Sequence, residues 1–181
     1  MQLGGTALKR LNRTWRRRAS TRVALLLQDV ESPFNVGAIV RSAAVLGVDH
    51  LYLVGRSASP SSPKAQKMAM ATDRYLQVRV VASVHAAVDQ AHTDGYHVVG
   101  LELTDSARPL HELELTRDTC IAVGNESHGM SAEMISRCDA IGYIPQLGKV
   151  GSFNVAAAVT VAMYEVRRQE WTDSAASDVY P

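Results

Sequence analysis

Three short polar clusters carry the residues of this chain that could do chemistry. Asn35 and Arg41 stand six apart in Asn35-Val-Gly-Ala-Ile-Val-Arg41, Gly124-Asn-Glu-Ser-His-Gly129 follows an apolar run, and Ser152 and Asn154 lie in the stretch IPQLGKVGSFNV at 144–155. Short polar side chains at a helix start can cap its free N–H groups. They can also face the crevice outside a strand's carboxyl end, where α/β proteins bind ligands. Arg41 lies in the apolar run VGAIVRSAAV, where an unpaired guanidinium would be costly to bury, and Glu126 could hold it in a charge-assisted pair. Gly37 and Ala38 keep the first turn thin enough for a ligand to approach the backbone. Each residue also has a plainer reading: Asn35 as a helix cap, Arg41 as a solvated helix residue, Glu126 as a surface turn. A glycine-rich turn after a strand can cradle a phosphate, but no Lys-Ser/Thr follows the second glycine and no GxGxxG is present, which excludes a P-loop and a dinucleotide fingerprint. Ser127 and His128 are neighbours on a turn and do not make a triad. Three polar loops leaving three strands define a site where one would define only a cap.

The elements that must position these loops alternate. Val23–Gln28 reads as a buried strand, Asn35–Leu46 as a helix packed through Val36, Ile39, Val40, Ala43 and Ala44 and stopped by Gly47, and His50–Val54 as a second strand. After the Ser- and Pro-rich turn at Gly55–Pro63, Ser62–Met70 reads as a helix with Lys64 and Lys67 exposed. A strand at Leu76–Val81, a helix at Ser83–His92 and strands at Tyr96–Leu101 and Cys120–Val123 follow. A helix begins at Ser131, Ile141–Ile144 is the last strand, and Phe153–Trp171 is a long closing helix. The pattern predicts an α/β fold, a mostly parallel sheet with helices on both faces, and no internal repeats.

The 181 residues, 46% hydrophobic and 20% charged, suffice for one domain with ordinary extensions, and no apolar run approaches a membrane span. Cys120 and Cys138 lack metal-ligand spacing and read as buried thiols of a reducing compartment, so no metal site and a cytoplasmic location are expected. The net charge of +1 hides an asymmetry. Residues 1–22 carry Lys9, Arg10, Arg13, Arg16, Arg17, Arg18 and Arg22 and no acid, and the remainder is net −6. Leu8, Leu11 and Trp15 give a helix there one apolar edge and a cationic back. An organelle transit peptide, a membrane-surface helix and an arm for a nucleic-acid backbone all fit that pattern.

The three ordered motifs resemble those of the SpoU/TrmH-type RNA ribose 2′-O-methyltransferases of the SPOUT class, over residues 22 to about 170. The resemblance implies a homodimer with a deep C-terminal trefoil knot and S-adenosylmethionine as cofactor. It places that cofactor in loops around 101–104, 124–126 and 144–156, among Leu103, Gly124, Asn125, Ile144, Gln146 and Phe153. It also implies a catalytic cluster of Asn35, Arg41, Glu126, Ser152 and Asn154. Gln146 and Phe153 depart from the usual Met and Leu of the third motif and bear on cofactor affinity. A guanidinium is not normally a base, so Arg41 is expected to stabilise the developing alkoxide while phosphate or water takes the proton. Beside such a site, Lys9, Arg10, Arg13, Arg16, Arg17 and Arg18 read as an RNA-gripping arm. Twenty-two residues before the first strand leave no room for a further RNA-binding domain, so a small enzyme acting on tRNA rather than rRNA is expected. The expected division is an arm at 1–21, the methyltransferase domain at 22–171 and a disordered tail at 172–181. An rRNA 2′-O-methyltransferase, an RNA-binding protein without methyl transfer and a base-nitrogen methyltransferase are the alternatives.

Overall fold

Every strand of this chain runs parallel to its neighbours, and the order in which they lie is what gathers the three polar loops. The computed structural model describes residues 2–149 and 151–175, and the side chains of 173–175 are outside that description. The strands are β1 (Val23–Gln28), β2 (His50–Val54), β3 (Gln77–Val81), β4 (His97–Leu101), β5 (Arg108–Pro109), β6 (Thr119–Val123) and β7 (Ala140–Tyr143), in the sheet order β3-β2-β1-β6-β4-β7-β5. The helices are α1 (Gly5–Arg17), α2 (Pro33–Leu46), α3 (Pro63–Ala69), α4 (Val84–Thr93), α5 (Ala132–Arg137) and α6 (Val155–Ala175).

Alternate strand residues build two cores, as the two-residue side-chain period requires. Leu25, Leu27, Leu51, Leu53, Ile121 and Val123 pack with Val36, Ile39, Val40 and Ala43 of α2 and with Val159, Ala162, Met163 and Val166 of α6. On the other face, Ala24, Leu26, Tyr52, Cys120 and Ala122 meet Val84, Ala87, Val88 and Ala91 of α4 and Met134 of α5. Cys120 is fully buried there and Cys138 half-buried, both unpaired. Both faces are covered, as the near-continuous apolar strands required.

Several local readings change. The cap of α2 is Ser32, whose Oγ accepts the Asn35 N–H, with Pro33 in the first turn; Asn35 is inside the helix and its side chain is free for other work. Gly37 serves packing, not a ligand: a Cβ there would stand 2.4 Å from the Ala65 carbonyl oxygen of α3. Gly47 closes α2 at φ 68°, as its position predicted. The closing helix begins two residues later than expected and runs on to Ala175, into the stretch read as a tail; residues 176–181 lie outside the described residues. The two-residue β5 pairs with β7 and was too short to show in the apolar pattern.

Among the described residues, no helix is long and apolar enough to cross a membrane. α1 buries no residue, so its apolar edge stays open. It reaches the domain through Trp15, whose ring lies 4.9 Å from that of Trp171. Its root is fixed more firmly. The buried Glu170 accepts from the Ser20 and Thr21 backbone N–H groups, and Arg167 donates to the carbonyls of Leu46, Gly47 and Thr21 and to Glu170 itself.

Candidate active site

Strands β4, β6 and β7 are adjacent or one apart in the sheet, so the loops leaving their carboxyl ends meet, and between them lies a cleft of about 750 Å³. Its walls include Leu103, Gly124, Asn125, Ile144, Gln146 and Phe153, every residue expected from the resemblance to hold a cofactor, together with Glu126 and Ser152. Leu103 (69% exposed) and Phe153 (46% exposed) present large apolar faces there, as a pocket for a flat organic group requires.

The Gly124–Gly129 turn is built tightly. Asn125 and Gly129 exchange backbone hydrogen bonds of 3.0 and 2.9 Å. The Asn125 carboxamide oxygen accepts from the N–H groups of Ser127 and His128, and its NH2 donates to the Asp29 carbonyl at the end of β1. Asn125 therefore shapes the loop with its side chain while lining the cleft. Gly124 is required by close approach: a Cβ would stand 2.2 Å from Gly129 backbone atoms. Gly129 lies at φ 70°.

Glu102 is the residue that motif reading missed. Its carboxylate accepts from the Met130 N–H at 2.8 Å and the Leu103 N–H at 3.0 Å, clamping the β4 loop to the β6 loop at the cleft wall. It directly follows the apolar β4 strand, so the rule that ligands gather beyond carboxyl ends would have found it.

A relay closes one end of the site. Asn154 caps α6, its Oδ1 accepting from the N–H groups of Ala156 and Ala157 at 3.0 and 3.3 Å. That fixes its NH2 toward Asn35, whose Oδ1 accepts at 3.0 Å. The Asn35 NH2 in turn donates to Glu126 Oε1 at 2.8 Å. Ser152 lies in the cleft wall, and the cap is the work of Asn154.

Arg41 does not join them. Glu126 is engaged by Asn35, and Arg41 is exposed, not buried, with its guanidinium directed at the Met70 sulfur. It lines a separate groove with Val45, Thr160, Val161 and Tyr164, between α2 and α6. Burial disfavours charge on Asp94, yet hydrogen bonds from Tyr52 and Gln90 and the nearby Arg79 hold it below the usual carboxylate range, in a network at the amino end of the sheet. Among the described residues, no group of three or more His, Cys, Asp and Glu side chains could hold a metal ion.

A parallel sheet whose β4, β6 and β7 loops share one mixed polar and apolar cleft defines an α/β protein that binds its ligand beyond the strand carboxyl ends, here with a relay of amides and a carboxylate at the cleft's edge. Residues 22–164 match the model of the SpoU rRNA Methylase family, and the chain belongs to that family. It is 31% identical over 150 residues to the tRNA (guanosine(18)-2′-O)-methyltransferase of Escherichia coli K12, covering 81% of this chain and 63% of that protein. The fold superposes with TM-score 0.74 on the SpoU methyltransferase AviRb from Streptomyces viridochromogenes in complex with AdoMet, at 29% identity over 83% of this chain and 58% of that one. It also superposes, at TM-score 0.73 and 32% identity, over 83% of this chain and 97% of a protein whose structure concerns 2-OH methylation of C/U34 on tRNA. This chain spans 56 and 63% of the length of the first curated relatives it matches.

Proposed function

We propose that the protein transfers a methyl group from S-adenosylmethionine to a ribose 2′-hydroxyl of structured RNA, tRNA rather than rRNA, and that it works as a homodimer. The observation that carries this reading is the Asn154–Asn35–Glu126 relay at the edge of a cleft whose walls suit the cofactor. The fit rests on two features: the exposed apolar faces of Leu103 and Phe153, and the polar ends offered by Gln146 and the loop backbone. Bound S-adenosylmethionine supplies an electrophilic methyl on a sulfonium, and the protein supplies alignment.

Asn154 and Asn35 hold each other's amides, so Glu126 is kept at the cleft with one oxygen engaged and the other free to receive a ribose hydroxyl proton donor. Ser152 adds a hydroxyl to the same wall. Arg41 stabilises the alkoxide as it develops, and water or phosphate takes the proton. Within one subunit Arg41 faces a groove beside exposed Val45, Val161 and Tyr164, an apolar face that suits a second copy. Docking there brings Arg41 to the partner's cleft. The same geometry gives the second reading: a chain held monomeric leaves Arg41 outside the cleft and binds RNA without methylating it.

The knot of the SPOUT class belongs to this proposal, supported by β6 lying between β1 and β4 and by β7 lying beyond β4. The unpaired Cys120 and Cys138 suit a reducing cytoplasmic setting. The deciding experiment incubates the purified protein with labelled S-adenosylmethionine and unmodified tRNA or rRNA, then maps the label by nucleoside analysis. Label on a 2′-O-methylnucleoside of tRNA is expected; label on a base nitrogen, or none, overturns the reading.

A further inference from the structure

The segment after α3 has features that neither the fold nor the cleft uses. Met70 and Ala71 are consecutive non-glycine residues in the left-handed region, at φ 52° and 56°. Such strain persists only where surroundings enforce it, and it concentrates at working surfaces. Thr72 enforces it by donating its hydroxyl to the Ala69 carbonyl, and Gln66 by donating to Asp73 at 2.9 Å. The turn thereby holds Met70 and Tyr75 outward, each 63% exposed, with Met68 at 40%. Arg74 lies 5.0 Å from the Tyr75 ring centroid and donates to its hydroxyl, which leaves an exposed aromatic backed by a cation.

Charge and position indicate the occupant. Residues 62–75 carry Lys64, Lys67 and Arg74, and their single acid, Asp73, is engaged by Gln66. The one-turn helix Asp73–Tyr75 packs on α2, the helix that carries Asn35 and Arg41, and Met70 receives the Arg41 guanidinium on its sulfur. We infer that Tyr75, backed by Arg74, is a stacking platform for an unpaired RNA base. Single-stranded nucleotides are recognised by stacking on aromatic and guanidinium planes, with flanking cations holding the backbone.

This inference rests on the RNA reading of the cleft, and the two are separable by experiment. The probes are an unmodified tRNA transcript pool and S-adenosylhomocysteine. Tyr75→Ala should weaken RNA binding by about tenfold, with S-adenosylhomocysteine affinity and sedimentation unchanged. Tyr75→Trp should keep RNA affinity, and its added indole fluorescence should be quenched by RNA. RNA affinity within about twofold of wild type for Tyr75→Ala, with no quenching in Tyr75→Trp, overturns the platform. So does a shift in oligomeric state of Tyr75→Ala, which would make the patch a subunit contact. A wild-type protein that fails to bind S-adenosylhomocysteine removes the methyltransferase reading, while indole quenching would still sustain the platform.

Discussion

Asn154 donates its side-chain amide to Asn35 Oδ1 at 3.0 Å, across 119 residues of sequence, while its own oxygen caps α6. One side chain thus does two jobs with its two ends, and a substitution can separate them. Asn154→Asp keeps the capping oxygen and adds a charge that a helix N-terminus favours, but loses the donor to Asn35. Its thermal stability should stay within about 0.5 kcal/mol of wild type, while methyl transfer falls by about tenfold or more. Asn154→Ala should lose activity and also about 1 kcal/mol of stability. Thermal unfolding beside turnover on RNA reads both.

Gly124→Ala tests the tight approach in the cleft wall. The clash at 2.2 Å is with backbone of Gly129 and Met130, which cannot swing aside as a side chain can. Local overpacking of this kind costs about 1–3 kcal/mol, and the displaced turn should weaken S-adenosylhomocysteine binding about tenfold by calorimetry. Retained affinity would show that the turn does not shape the ligand pocket.

What could be read from sequence was set by local pattern. VALLLQ, HLYLV and CIAV are continuous apolar runs and became adjacent buried strands, and Gly47 ended α2 where its position said it should. The residues that the family resemblance assigned to a cofactor do line one cleft, because the loops that carry them leave neighbouring strands. Within one subunit Arg41 stands apart from Asn35 for a geometric reason: six residues turn a helix by about 120° away from the starting direction, so the two side chains leave different sides of α2. Gly37 and Glu102 depend on contacts with Ala65 and Met130, distant in sequence, and no local pattern encodes those.

The buried Arg167–Glu170 pair fixes how the arm's root meets α6, and it gives a pH-dependent test. Burial alone would raise the Glu170 carboxyl, but hydrogen bonds from Thr21, Arg167 and Ser20 outweigh it and hold the group below its ordinary range. A depressed carboxylate contributes stability above the unfolded pKa of about 4.3 and loses it as pH falls through the folded value. Glu170→Gln should therefore cost about 3 kcal/mol at neutral pH. The difference from wild type should shrink as pH falls below about 4. A difference constant from pH 7 to 3 in denaturant titrations would rule out the linkage.

Because Ser20 and Thr21 serve Glu170, the arm should be cut before them. Deleting residues 2–17 removes Lys9, Arg10, Arg13, Arg16 and Arg17 and leaves the root intact. If all five meet phosphates, the slope of log affinity against log salt should fall by about 3.5 to 4.5. An unchanged slope for the tRNA pool would assign the arm another job.

The separation of Arg41 from the relay makes the proposed dimer testable by subunit mixing. Arg41→Ala and Asn154→Ala should each be inactive alone, and Arg41→Lys should be nearly so if the guanidinium fork matters. In a mixture of the two alanine variants, a heterodimer has one cleft with a native Asn154 that faces the native Arg41 of its partner. Random exchange makes half of the dimers mixed, each with one working site, so about one quarter of wild-type activity should return. If Arg41 served its own subunit's cleft, every site in the mixture would lack one of the two groups, and no activity would return at any mixing ratio.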